Sequence, residues 1–469
     1  MRMPIKTFAI LLVLLLCGAC TSQVTRLKPV STEDGEVYLY AQPLPQEATG
    51  LRFRLKQVVA VKGDGAEVPL TVTLPDLKPG TSDRQRLLAH GFLPPGQYQG
   101  FYFQAEQAFL AGEKGENELT IDEKREMQVF PFTVKRRQAD LFSLSFKVGE
   151  SLRRVQGFIP VFVLGTLPKP LTNLTGYVTN YAAGDITVFD KRSGDALEVI
   201  ATGRAPKTVV FDKEQLRAYV VASADDAIEV IDIRSGQPVN TIRLNNGDQP
   251  NDALLTPDGT TLMVVNQGTN SVSFIDPNSN FESTRVKVGN SPASIILDPQ
   301  GKRAYVFNTL SNSFSVLDVN ARVVLATVMT ESVPVRGDFN RQGDKLYVFH
   351  QWSPTLLVYD TASLAVLKRI YTGLGVSAIK VDRTTDRLYV AKKDSPIIEI
   401  YDPFSLIPID FLQAEGWSSY MLIDADENNL LLVLPERNAL QSINLISKKN
   451  RFLMDTGSAP NWSAIMGAR

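Results

Sequence analysis

Cysteine and histidine are nearly missing from this 469-residue sequence, which holds two of each. So few rule out a disulfide framework and disfavour zinc clusters, His-rich metal sites and any chemistry that needs several imidazoles. Tryptophan is scarce too, at three. An excess of charge of either sign is also lacking. The 49 Lys and Arg oppose 50 Asp and Glu, so there is no global electrostatic reason to expect nucleic acid as a partner. What is present is 44% hydrophobic and 21% charged, a globular composition on a chain long enough for two or three cores.

One apolar run stands out, the twelve residues Phe8 to Ala19, preceded by Arg2 and Lys6 and followed by Cys20. It falls short of the about 20 residues that span a bilayer, and its flanks fit a secretory signal. The end of the run, Cys17-Gly18-Ala19-Cys20 after Leu16, resembles the lipobox of bacterial lipoproteins, with Cys17 where Leu is usual. The resemblance implies cleavage after residue 19 and lipidation of Cys20, which becomes the first residue of the mature chain. Each buried methylene of such acyl chains contributes roughly 0.8 kcal/mol of anchoring. An ordinary signal peptide and an uncleaved anchor are the alternatives. Thr21 and Ser22, with no Asp after the Cys, resemble an outer-membrane sorting signal. Losing Arg2 and Lys6 from the 49 cations leaves 47 against 50 anions.

From Gly176 to Arg469 the sequence repeats. Tyr177, Tyr219, Met263, Tyr305, Tyr347, Tyr389 and Leu431 recur at steps of 42 or 44 residues. Asp190, Asp232, Asp276, Asp318, Asp360, Asp402 and Asn444 keep the same register, as do Pro206, Pro250, Pro292, Pro334, Val376, Ser418 and Pro460. Each copy reads as four short strands, with turns such as Thr256-Pro257-Asp258-Gly259 and alternating runs such as Ser271-Val272-Ser273-Phe274-Ile275-Asp276. The Asp that ends this strand is placed to accept N–H groups of the following turn. Four strands per 42 residues predict a seven-bladed β-propeller, one blade per repeat. The region opens on the second strand of a blade and closes on a lone first strand, Pro460 to Met466. That last strand predicts a ring closed by backbone pairing, with no open edge.

Tyr177-Val178-Thr179-Asn180 resembles the tetrapeptide that names the YVTN family of propeller repeats, and Pro292 to Gly301 with Tyr305-Val306-Phe307-Asn308 is similar to its consensus. The resemblance implies the fold strongly and an activity weakly, since such propellers serve surface-layer proteins, periplasmic binding proteins and relatives of propeller enzymes.

Strand-like runs also precede the repeats: Glu36 to Tyr40, Leu51 to Val61, Val68 to Leu74, Tyr98 to Gln104, Met127 to Val134 and Leu141 to Val148. Leu93-Pro94-Pro95-Gly96-Gln97-Tyr98 resembles an element of immunoglobulin-like sandwiches in bacterial surface lipoproteins. The expected order is a signal peptide at 1–19, a lipidated tether at 20–34, a β-sandwich at 35–165, a linker at 166–175 and the propeller at 176–469. The fold class is all-β.

Catalytic material is thin. His90 reads as a turn residue. His350 takes the place of Asn180, Asn266 and Asn308 and reads as a polar strand-end residue or a ligand contact. Axial ligands for a haem are nearly wanting, and no cofactor or metal is expected. Asp225-Asp226 and Asp424-Ala425-Asp426-Glu427 read as solvated loops rather than Ca²⁺ sites, and Lys135-Arg136-Arg137 as a solvated turn. One sector holds more. In a propeller the loops between second and third strands share a face with the loops between blades. Trp352, Trp417 and Trp462 map to those loops, with His350, Lys392, Lys393 and Arg437 in the same sector. Each Trp either fills a gap between blades or grips a partner. The expected function is a lipid-anchored envelope protein at the outer membrane, facing periplasm or cell surface, whose propeller binds a protein or glycan. The alternative is an enzyme of the lactonase or quinoprotein-related propeller class.

Overall fold

In a computed structural model the chain is all-β. The structure describes residues 27–29, 33–80, 83–112, 115–122, 125–153, 157–167 and 171–467. The proposed signal segment, Cys20 and much of the expected tether lie outside them, as do residues 168–170 of the expected linker.

Seven four-stranded antiparallel sheets follow one another from Thr175 to Ile465. Blade 1 is built from both ends of this region. Thr175–Asn180, Asp185–Asp190 and Ala196–Ala201 supply its outer three strands, and Pro460–Ile465 pairs with Thr175–Asn180 as the innermost. Gly176 leaves room for the Phe189 ring of the next strand, which would lie 2.2 Å from a Cβ there. Between blades the contacts are dry. Tyr305, Phe307, Phe314, Phe339, Leu346 and Tyr359, for example, form one buried cluster across blades 4 and 5. The Asp series ends the third strands as read from sequence. Asp232 accepts the Ser235 N–H at 2.8 Å and Asp318 the Ala321 N–H at 2.7 Å.

The N-terminal region holds a ten-stranded sheet folded into a half-barrel and a small three-stranded sheet of Leu152–Arg153, Gly157–Phe158 and Thr120–Ile121. Gly35–Ala41, Arg86–Leu93, Ala139–Phe146 and Phe162–Gly165 form one half, and Leu51–Lys62, Gly96–Gly112 and Met127–Val134 the other. Glu67–Val72 pairs with both, so the two expected layers are halves of a continuous sheet. Phe53 meets Phe146 across the fold at 5.0 Å between ring centroids, and Phe101 meets Phe142 at 6.3 Å.

The strand Arg86–Leu93 was not expected, and it corrects the reading of His90, which lies within the strand opposite Tyr38 rather than in a turn. The strand is covered on both sides. Leu88 and Ala89 enter the half-barrel core while Leu87 enters a cluster shared with the propeller, and burial on both faces erases the alternation that marks a strand in sequence. Gly35–Ala41 behaves likewise. Val37, Leu39 and Ala41 face the half-barrel core, whereas Tyr38 and Tyr40 pack with Val178, Phe189, Leu431 and Phe452 of blades 1 and 7.

Candidate functional site

Loops between second and third strands of a blade, and loops between blades, lie on one face of the ring. Their backbone is held by a repeated staple. A residue with positive φ in the first kind of loop caps the N–H of the residue that opens the next blade. Asn270 Oδ1 accepts from Ser291 N at 2.7 Å, Asn312 from Val333 at 2.9 Å and Asn438 from Ala459 at 2.9 Å. The equivalent position is Gly184 in blade 1, Pro354 in blade 5 and Pro396 in blade 6, so these loops lack the staple, and that of blade 5 carries Trp352.

Around this loop the face is apolar. Leu310 and Met329 of blade 4, and Trp352, Tyr371 and Leu374 on and after blade 5, each keep two thirds or more of their surface in water. The loops are tied together, since Thr372 and Gly373 donate their N–H groups to Pro354 O, and Gln351 N reaches Val333 O. Neighbouring loops therefore present these side chains as one zone. Apolar side chains clustered in this way mark interaction sites.

The other residues expected in this sector have separate places. His350 is 1% exposed at the end of its strand, so it is not available to a partner. Its Nε2 lies 2.6 Å from Thr330 Oγ1, and burial drives its pKa down to about 4. Lys392 is ion-paired with Glu399 at 2.7 Å, and Glu399 also accepts the Tyr401 hydroxyl at 2.9 Å. Trp417 is half-buried, with Lys393 Nζ 6.0 Å from its ring. Arg437 is exposed, with Glu415 3.8 Å away, at the mouth of a cleft lined also by Tyr38 and His90.

Trp462 is not a loop residue but the third residue of the closing strand, where its ring lines the axial cavity. It stacks on Tyr420 at 3.8 Å, and the Arg336 guanidinium lies 4.4 Å from the Trp462 ring and 5.8 Å from that of Tyr420. That last distance falls well short of the other two combined, so the cation sits beside the stack rather than beyond it. The cavity, of about 170 Å³, also meets Lys207, Thr208, Asn251 and Asp252. Asp252 is saturated by Thr208 Oγ1, the N–H groups of Ala253 and Ile295, and Arg336. Lys207 lies over the Tyr181 ring at 4.5 Å, and burial lowers its pKa. The lining follows from the Pro series. Two residues after each member come Thr208, Asp252, Ser294, Arg336, Ala378, Tyr420 and Trp462, and reading that offset would have found Arg336 and Tyr420. Leu310, Met329, Tyr371 and Leu374 carried no such signal, because an exposed apolar residue in a loop reads like any other.

The acidic pairs are engaged. Asp225 binds Arg204, Asp226 accepts from Gly247 and Gln249, Asp424 binds Lys191 and Glu427 binds Arg192. Among the described residues no three His, Cys, Asp or Glu gather so as to hold a metal ion. Nor is any helix there long and apolar enough to cross a membrane.

Solved structures share the fold at low sequence identity. The hydrazine synthase of Kuenenia stuttgartiensis is 18% identical, covering 60% of this chain and 97% of its own, with a TM-score of 0.53. A functionally unknown protein from Desulfotomaculum acetoxidans is 14% identical over 63% of this chain and 99% of its own, at 0.55. The dihydro-heme d1 dehydrogenase NirN, in complex with DHE, is 13% identical over 65% of this chain and 78% of its own, at 0.51. No curated protein sequence matches. The model of the YNCE-like beta-propeller family matches residues 147–387, more than half of the chain, and the protein belongs to that family.

Proposed function

We propose that this is a lipid-anchored protein of the cell envelope whose propeller is a binding platform for a protein or glycan partner. One observation carries the reading: five large apolar side chains, Trp352 and Tyr371 among them, stand in water on neighbouring loops and strand ends of a single face. Their burial by a partner would release water from a continuous apolar surface, and Trp and Tyr are the side chains that most often dominate such contacts. The axial cavity nearby, with its Tyr420–Trp462 stack and Arg336, adds a polar recess suited to part of a glycan. The lipid on Cys20 would hold this platform at the outer membrane.

The test compares the wild type with Cys20→Ala and with the double variant Trp352→Ala and Tyr371→Ala. Cys20→Ala should abolish palmitate incorporation and shift the protein out of the membrane fraction. The double variant should stay lipidated and lose partner capture from envelope extracts, with its unfolding free energy within about 0.5 kcal/mol of wild type, as for other surface substitutions. Retained capture would refute the platform. Half-buried Trp417 is the poorer probe, because its truncation also disturbs packing.

A further inference from the structure

The joint between the N-terminal half-barrel and blade 1 contains more acceptors than hydrogens. Alternation along Gly35–Ala41 aims Glu36 and Tyr38 at the propeller, where they meet Asp185, the first residue of the third strand of blade 1. The Tyr38 hydroxyl lies 2.9 Å from Glu36 Oε2 and 2.5 Å from Asp185 Oδ2. All three side chains are buried. A phenol has one hydrogen to give and an ionised carboxylate has none. Two ionised carboxylates around one phenol would leave an oxygen facing an oxygen with nothing between, and buried polar groups rarely tolerate that. One carboxyl must therefore carry a hydrogen.

The neighbours decide which. Lys28 Nζ contacts Glu36 Oε1 and also the Gly184 carbonyl at 3.3 Å, so a full cation neutralises Glu36. Asp185 has a neutral partner instead, Asn180 Nδ2, which donates to Oδ1. Other ionisable groups surround the joint. His90, stacked on Tyr38 at 5.7 Å, has its pKa lowered by burial, with Glu36 opposing. Asp455, near Tyr40, is held by Arg84 and Arg86. Glu229 accepts the Gly203 N–H through Oε1, while its Oε2 is buried without a partner and burial raises its pKa.

We propose that Asp185 is a neutral carboxylic acid in the docked molecule and that this joint is a proton-binding site, closed at low pH and loosened as pH rises. The hydrogens then run in one direction. Asp185 donates to the Tyr38 oxygen, Tyr38 donates to Glu36, and Lys28 donates to Glu36 from the other side. Removing the Asp185 proton leaves two carboxylates competing for one hydrogen, and their repulsion acts across the joint. Burial pushes both carboxyls above their ordinary values; Lys28 opposes it at both, Tyr38 and Asn180 also oppose it at Asp185, and the Asp185 charge adds to it at Glu36. A group that binds its proton more tightly when docked favours docking below its ordinary pKa. That contribution is lost as pH rises through the docked value.

Infrared difference spectra of the full-length protein at neutral pH test the assignment. A protonated-carboxyl C=O band should be present in wild type and in Glu36→Gln and absent in Asp185→Asn. Hydrogen exchange of Gly35–Ala41 in the wild type is a second measure that needs no variant. After correction for intrinsic rates, protection should fall by up to about tenfold for each pH unit between the ordinary Asp value and the docked pKa, and level off above it. A band that is missing in wild type, that persists in Asp185→Asn or that disappears in Glu36→Gln overturns the proposal. So does protection that is flat with pH.

Discussion

His350 shows how one residue type can be forced by its seat. Asn180, Asn266 and Asn308 occupy the same strand end in other blades and donate through Nδ2 to hydroxyls, Asn266 to Ser273 at 2.7 Å and Asn308 to Ser315 at 3.1 Å. In blade 5 an imidazole fills the place, and burial holds it neutral down to about pH 4. The unfolded chain takes up this proton near the ordinary His value of 6.5, but the folded chain does not. The pKa is depressed in the folded state, so the contribution is full above 6.5 and is lost as pH falls toward 4. Replacing His350 by Asn, the residue of three other blades, should remove this part of the acid destabilisation, on the order of 2 to 3 kcal/mol. Thermal midpoints followed from pH 7 to pH 4 would show a shallower fall in His350→Asn, and an identical fall would mean that His350 titrates freely. The series containing His350 was visible in sequence. Its burial was not, because nothing in a strand-end residue states whether the next blade covers it.

At the scale of elements, the junctions between blades are where sequence and backbone disagree. The residue that opens each new blade has positive φ in six of seven places, as Ala205, Gln249, Ser291, Val333, Gly375 and Ala459. Gly375 adopts this conformation freely, but Val333, at φ 57, is a β-branched residue in a region that such residues avoid. Its N–H bond to Asn312 holds it there. Val333→Asn keeps that N–H and suits a left-handed backbone. It should raise stability by about 1 kcal/mol and the midpoint by roughly 2 °C. A midpoint that falls in calorimetry would show that the half-buried isopropyl group outweighs the strain. Elements whose role is fixed by local chemistry were legible beforehand. The terminal Asp of each third strand caps its turn, and the Pro-Gly turns follow from their dihedrals. The inward-facing offset that brings Arg336, Tyr420 and Trp462 together needed the register of first strands around the axis, a relation among seven blades.

For the whole molecule, the ring was readable because its evidence is phase, the odd strand at each end, whereas the docking of the half-barrel was not. The face of Gly35–Ala41 that carries Glu36, Tyr38 and Tyr40 resembles a solvent face in sequence, and only the fold reveals that blades 1 and 7 cover it. Closure also explains what the last strand does. Pro460–Ile465 completes blade 1, stacks Trp462 on Tyr420 and buries Ile465 beside Val178 and Phe189. Ending the chain after Ala459 would expose the inner edge of Thr175–Asn180, leave Tyr420 without its stacking partner and open the axial cavity to one side. Open strand edges pair with other chains. The shortened chain should therefore melt less cooperatively than the full chain and form oligomers on size exclusion. A synthetic peptide spanning residues 456–469, added during refolding, should restore both the transition and the monomer by supplying the missing strand in trans. A truncated chain that melts cooperatively near the wild-type midpoint and stays monomeric would show that packing between blades holds the ring shut without the strand.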